Sequence, residues 1–313
     1  MIYLERFVIP EDDQENEFFW HLYRGEFWAL PKPQHNNYSK LQESCHNTVY
    51  PFHVFTDMSL DSVEFEPITI FYGGNGTGKT TLLNIIAEQL GIRRTTPFNR
   101  SNFYAAYLQY CKAYCNTDIP PESSIITSDD VFNYILDIRS LNDGIDNRRE
   151  ELFTEYQKYK KKSIGYRFKS LEDYDEFIKV QKARNNSRSK FVLKELGQNT
   201  KEYSNGENAF RYFTDKIKES ALYLLDEPEN SLSPARQIQL VKYLEEAVRF
   251  YNCQLIISTH SPFLLALPFA KIYNLDKRPV SISKWTELEN VQIYFDFFEQ
   301  HRKEFIQGRE QHE

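Results

Sequence analysis

FEPITIFYGGNGTGKTTLLNIIAEQLG, residues 65–91, decides the fold. It opens on a β-branched apolar run, passes through glycines, and ends with Leu82, Leu83, Ile86 and Leu90 at helical spacing. The order predicts strand, loop and helix. Within it, GGNGTGKT (73–80) satisfies G-x-x-x-x-G-K-[ST] in the strand-to-helix context that a phosphate-binding loop requires. The glycines of the run Gly73, Gly74, Asn75, Gly76, Thr77, Gly78 free backbone N–H groups to wrap phosphates, and the helix N-terminus adds positive partial charge. Lys79 is placed to reach β and γ phosphates, Thr80 to offer a hydroxyl to Mg²⁺, and Thr81 completes the loop.

Working outward, SALYLLDEPE (220–229) and CQLIISTH (253–260) are short apolar runs ending in polar residues, the pattern of strands buried on both faces of a parallel sheet. PARQIQLVKYLEEAVRFY (234–251) lies between them. It opens with Pro and repeats Ile238, Val241, Leu244 and Val248, as a crossover helix would. SSIITS (123–128) and VFNYILDI (131–138) predict a further strand and helix. The fold class is therefore α/β, a mixed or parallel sheet flanked by helices, with a helical insertion.

At the strand ends stand the groups that carry chemistry. Asp226 is placed to hold Mg²⁺, and Glu227 to orient and deprotonate an attacking water. His260, 34 residues after Asp226, is placed to contact a γ phosphate. YSNGE (203–207) reads two ways: a phosphate-contacting site for a nucleotide held by a second copy, or an Asn-Gly turn. Ser204 with Glu207 also fits a helix-capping box, which is compatible with the first reading.

The 313 residues suffice for one large α/β domain, and no apolar run approaches the ~20 residues that span a bilayer. The expectation is a cytoplasmic protein without a membrane partner. Cys45, Cys111, Cys115 and Cys253 form neither a disulfide framework nor a zinc knuckle, and Cys111 and Cys115 are expected in the core. Net charge is −7, yet residues 148–194 hold 14 Lys/Arg against 7 Asp/Glu. That arm is a candidate nucleic-acid or effector docking surface, or else a solvated helical face. Its expected apolar stripe is Leu171, Tyr174, Phe177 and Ile178. The boundaries read as one domain over 1–313, with an edge-strand region at 1–64, a helical insertion and signature subdomain at 146–200, and a helical tail at 285–313. Phe18, Phe19, Trp20, Phe27 and Trp28 are core or partner site, with core favoured.

In combination, GGNGTGKT, YSNGE, LLDEPE and IISTHSP resemble the ABC-type ATPases, in their SMC/RecF/OLD-like branch of stand-alone AAA family ATPases. The resemblance covers about residues 50–300. It implies ATP and Mg²⁺ as cofactors, a Walker A loop over Gly73 to Thr81, a signature including Ser204 and Gly206, a Walker B pair Asp226 and Glu227, a D-loop over Asn230 to Ser233, and a switch His260. Lys79, Glu227 and His260 are then the catalytic set, with Thr80 and Asp226 at the metal. The implied function is an ATP-hydrolysing switch that forms an ATP-sandwiched, head-to-tail homodimer and regulates a separate effector or nucleic-acid partner, in settings such as anti-phage defence. The alternatives are a transporter nucleotide-binding subunit and a non-hydrolysing ATP-bound scaffold. Two features depart from the pattern. LSGGQ has become YSNGE, and ITSDDVF (126–132) carries Asp129 and Asp130 where a Q-loop glutamine is expected. Phe52 and Phe55 are candidates to stack on adenine, with core packing the better reading. The 53 residues after His260 leave no room for an appended nuclease domain, so any cutting is expected from a partner.

Overall fold

The structure is a computed structural model, and it describes residues 1–24, 49–166, 173–193, 196 and 204–310. In chain order its main elements are β1 (Leu4–Val8), α1 (Asp12–Arg24), β2 (Ser62–Glu64), β3 (Ile68–Tyr72), α2 (Lys79–Gln89), α3 (Tyr104–Tyr110), β4 (Lys112–Cys115), β5 (Ser124–Thr127), α4 (Ser128–Lys162), α5 (Tyr174–Asn185) and α6 (Arg188–Leu193). They continue with α7 (Asn205–Lys216), β6 (Leu222–Asp226), α8 (Pro234–Phe250), β7 (Gln254–Ser258), α9 (Pro262–Leu265), β8 (Lys271–Asn274), β9 (Ser281–Ile282), α10 (Glu289–Gln300) and α11 (Arg302–Glu310). Two compact units result: Met1–Val131 with Ala209–Glu313, and Phe132–Asn208.

In the first unit, six strands run β5-β6-β7-β3-β8-β9, parallel except for the β8–β9 pair. Every residue of β3, β6 and β7 is buried, as strands covered on both faces must be. Register aligns their ends: Thr127 pairs with Asp226, Asp226 with Ser258, Phe71 with Ser258, and Tyr72 with Asn274. Side chains from four loops therefore leave one edge of the sheet together. Leu82, Leu83, Ile85 and Ile86 of α2 are fully buried, at about 2 kcal/mol each, so packing rather than helix propensity sets this helix.

The N-terminal strands do not extend the main sheet. β1 pairs antiparallel with β2 and β4 in a separate three-stranded sheet. Side chains of the larger sheet fasten it at two places: Gln254 Oε1 accepts from Tyr3 N (2.8 Å) and Leu4 N (2.9 Å) while Gln254 Nε2 donates to Leu4 O (2.8 Å), and on β8 Tyr273 Oη accepts from Glu64 N of β2 (3.0 Å). The backbone of β7 is already paired on both sides, so only its first side chain is free to receive β1.

Other expectations shift in detail. α8 buries Leu240, Leu244 and Ala247, while Ile238 is exposed. The stripe lies one step round the helix from the sequence reading, Leu244 being common to both. Phe18, Phe19, Phe52 and Phe55 are core residues and Trp20 is half exposed; Phe27, Trp28 and Cys45 lie outside the described residues. Cys111 is buried at the end of α3, but Cys115 ends β4, an edge strand of the small sheet, and is exposed.

The second unit is helical. Leu152, Tyr159, Val180, Ala183, Phe191 and Val192 form its core. On α5 the buried residues are Val180 and Ala183, whereas Tyr174 is exposed and Leu171 lies outside the described residues. Lys158 and Lys179 lie over the Tyr159 ring and Arg188 over Phe153, so part of the arm's positive charge covers its own aromatic rings.

Candidate functional site

The loop between β3 and α2 is built for close approach. Gly76 and Gly78 sit at φ +83° and +88°, a region costly for residues with a Cβ, and a Cβ on Gly78 would meet Val54 and Phe55 at 2.9 and 3.0 Å. Thr77 Oγ1 donates to Gly74 O (2.9 Å), closing the loop on itself. Asp276, at the end of the neighbouring β8, accepts from Gly74 N (2.7 Å) and braces the loop from outside. Asp276 has no local motif around it, and its role depends on β8 lying next to β3.

Lys79 is buried, and its Nζ donates to Gly73 O (2.9 Å) and Gly74 O (3.0 Å), folded back over the loop. Burial lowers its pKa, against the opposing pull of Glu227, Asp226, Asp276 and Glu229. Thr80 Oγ1 donates to Asp226 Oδ1 (3.0 Å), and Ser258 Oγ donates to the same oxygen. Asp226 is nearly buried; burial raises its pKa, and the two hydroxyls hold it down. Thr80 and Asp226 thus converge as the residue pair that would hold Mg²⁺.

Glu227 takes a left-handed backbone, φ +48°, which turns its carboxylate away from the strand direction. Its Oε1 lies 3.9 Å from Lys79 Nζ and 3.5 Å from His260 Nε2, and Asn230 Nδ2 donates to its Oε2 (2.9 Å). These neighbours hold its pKa down to about 2, His260 being the largest cause, with burial opposing. His260 leaves the end of β7, the strand between β3 and β6, and so stands between the phosphate loop and the carboxylate pair. Its Nε2 is buried without a hydrogen-bond partner among the described residues.

The segment bearing His260 is held in a way the sequence did not announce. Glu229 Oε1 accepts from Thr259 Oγ1 (2.7 Å), His260 N (2.6 Å) and Ser261 N (3.1 Å). Ser261 Oγ donates to Gln237 Oε1 (2.7 Å), and Asn290 Nδ2 donates to His260 O (2.8 Å). The imidazole is carried on a backbone tied at both its N–H and its carbonyl.

Beside the loop opens a cavity of about 680 Å³, lined among others by Thr80, Thr81, Tyr50, Arg94, Phe98 and Arg100. Tyr50 Oη donates to Thr81 Oγ1 (3.2 Å), and the Phe98 ring lies between the Arg94 and Arg100 guanidiniums at 4.4 and 4.6 Å. Phe52 and Phe55 are packed in the core instead, each 3% exposed. Of the two acids in the Q-loop position, Asp129 lines the cavity, while buried Asp130 accepts from Thr127 N and Thr127 Oγ1 (both 2.8 Å) and so caps α4.

Ser204 and Gly206 belong to the second unit, and Tyr203 lies outside the described residues. Ser204 O accepts from Glu207 N and Asn208 N (both 2.9 Å), so Ser204 sits at the N-cap and Asn205 and Gly206 form the first helical turn of α7. The hairpin-turn reading of Asn-Gly is thereby excluded. Arg139 Nη2 donates to Asn205 Oδ1 (2.7 Å).

The residues present fit a triphosphate with Mg²⁺: a glycine cradle, a lysine folded over it, a hydroxyl–carboxylate pair, and an imidazole beside the Glu227 carboxylate whose Nε2 makes no hydrogen bond among the described residues. Residues 205–265 match the family model described as an AAA ATPase domain. No curated protein matches the chain. Among solved structures, the chain is similar to the Smc head domain of Pyrococcus furiosus with an extended coiled coil, bound to the C-terminal domain of ScpA. That likeness has 14% identity over 77% of this chain and 95% of that one, with a TM-score of 0.36. It is also similar to an ATP-binding cassette solved as a dimer in a post-hydrolysis state with ADP and Pi, at 13% identity over 72% of this chain and 90% of that one, TM-score 0.35.

Proposed function

We propose that the chain is a Mg²⁺-dependent ATPase that works as a switch, binding ATP at the β3–α2 loop and closing head to tail on a second copy. The observation that carries this reading is the convergence of Lys79, Thr80, Asp226, Glu227 and His260 at one edge of the sheet. Lys79 would exchange its two loop carbonyls for phosphate oxygens. Thr80 and Asp226 would hold Mg²⁺, which supplies neutralisation of phosphate charge when bound. The nucleoside would extend past Thr81 into the neighbouring cavity, whose volume suits a nucleoside and whose Tyr50 and Phe98 offer ring faces. Ser204 and Gly206 would meet the γ phosphate held by the other copy, at the helix N-terminus of α7.

Glu227 is the general base. Its low pKa makes it a weak base while His260 faces it. When His260 turns to a γ phosphate, that restraint is lifted and the carboxylate becomes better matched to accepting a proton from water. The switch would regulate a separate effector or nucleic-acid partner, the arm at 148–194 being the candidate docking surface, in a cytoplasmic setting such as anti-phage defence. Among the described residues no helix is long and apolar enough to cross a membrane.

Glu227→Gln tests the reading. ATP binding should persist, phosphate release should fall by about 10²-fold or more, and an ATP-dependent dimer should accumulate. Unchanged turnover would overturn the assignment. A non-hydrolysing scaffold is the second reading, favoured by one observation: Asp130, in the Q-loop position, is committed to capping α4. Tight ATP binding by the parent chain without phosphate release would select it.

A further inference from the structure

After Val291, every residue of α10 from Gln292 to Gln300 is exposed, and five of those nine are Ile293, Tyr294, Phe295, Phe297 and Phe298. At 100° per residue these five cover about 200° of the helix circumference. A helix apolar on so many sides is normally buried, and one of 12 residues has little stability of its own in water. Phe305 and Ile306 of α11 are exposed too, and Phe298 packs on Phe305 with centroids 5.9 Å apart, so the two helices, joined through His301 alone, carry one continuous apolar surface. Its seven large apolar side chains are 49–63% exposed. At about 200 Å² each they present on the order of 800 Å² of apolar surface, the area one partner contributes to a stable interface and well above an ordinary surface patch.

We propose that two copies of the chain pair through α10 and α11, and that the contact forms without nucleotide. The occupant follows from shape and charge. A flat surface or a groove covers one stripe of a helix, whereas this one is apolar over more than half its girth. The same two helices of a second copy offer apolar faces of matching area and are covered in return, as a two-fold axis requires. α10 carries Glu289, Asp296 and Glu299 with no Lys or Arg, and α11 opens on Arg302 and Lys303. Arg302 already pairs with Glu299 of its own chain at 3.1 Å, so laying α10 of each copy against α11 of the other brings Lys303 towards the acidic residues of the facing α10 at the rim.

The contact is distinct from the ATP-dependent closure proposed above and does not need it. Sedimentation velocity of the full chain without nucleotide tests it, over roughly 1–100 μM, the range in which an interface of this size should associate. The expected result is a dimer that persists in Lys79→Ala and dissociates at least about tenfold more readily in a Phe295→Glu/Phe298→Glu variant. The variant's far-UV circular dichroism, unchanged in shape, confirms that it is folded. A parent chain that stays monomeric throughout the range, or a double variant that dimerises as the parent does, overturns the proposal. Fluorescent ATP titration of the same samples reports separately on the nucleotide site, so the failure of one reading is not mistaken for failure of the other.

Discussion

Truncating Glu229 to alanine should cost about 2 kcal/mol of stability and far more of catalysis. The stability figure follows from its three bonds. Ser261 N keeps a second acceptor in Thr259 Oγ1 at 3.0 Å, and the Thr259 hydroxyl can turn elsewhere, but His260 N has no other acceptor among the described residues. One orphaned amide costs about 1–3 kcal/mol. Loss of side-chain packing adds to this, and relief of a buried carboxylate, whose pKa burial raises, offsets part of it. Urea titration reads the net change directly. The catalytic effect comes from geometry: a displacement of about 1 Å of His260 costs on the order of 10² in turnover. ATP affinity should stay within about threefold, because Lys79 and the glycine loop lie on different elements. Glu229→Gln keeps an acceptor oxygen and should retain turnover to within about tenfold of the parent. Should Glu229→Ala hydrolyse ATP at the parental rate, the view that this carboxylate positions the histidine segment is wrong.

Two other outcomes are expected. Ser204→Arg should abolish hydrolysis while leaving ATP binding at Lys79 intact, measured by phosphate release beside fluorescent-nucleotide titration; undiminished hydrolysis would show that YSNGE only starts a helix. Acid titration should reveal Glu227: its folded pKa of about 2 lies below the ordinary 4.5, so its contribution to stability is present above about pH 4.5 and lost as pH falls towards about 2. Glu227→Gln should therefore show a shallower loss of stability across that window in urea midpoints taken at successive pH values.

The nucleotide loop was legible because its signal is local: glycine spacing, the lysine and the flanking strand and helix all lie within 27 residues. Asp226 and Glu227 were legible for the same reason, as the polar end of a wholly apolar run. What sequence could not supply was strand order. Only with β7 between β3 and β6 does His260 face Glu227, and only with β8 beside β3 does Asp276 reach Gly74. Glu229 looked like one more acid in a charged turn, because its three partners lie 30 to 32 residues downstream. Phe98 and Arg94 sit in an irregular loop without periodicity, so no pattern separated them from solvent-facing residues. The capping pattern of Ser204 with Glu207 already pointed to a helix start, and helix geometry places Ser204 at the N-cap, which sets aside the hairpin turn that Asn-Gly alone suggests.

The glutamine that fastens the small sheet to the large one has a bearing on how the chain reaches this state. Leu4 and its acceptor are 250 residues apart in sequence. The first strand can pair with β2 and β4 as soon as these are made, yet Gln254, which bonds it to the central sheet, lies far beyond β4 in the sequence. Chain closure over such a separation is entropically slow. Docking of the first strand on the central sheet therefore waits for the segment that carries Gln254, and without that side chain the amides of Tyr3 and Leu4 would lose the oxygen that receives them.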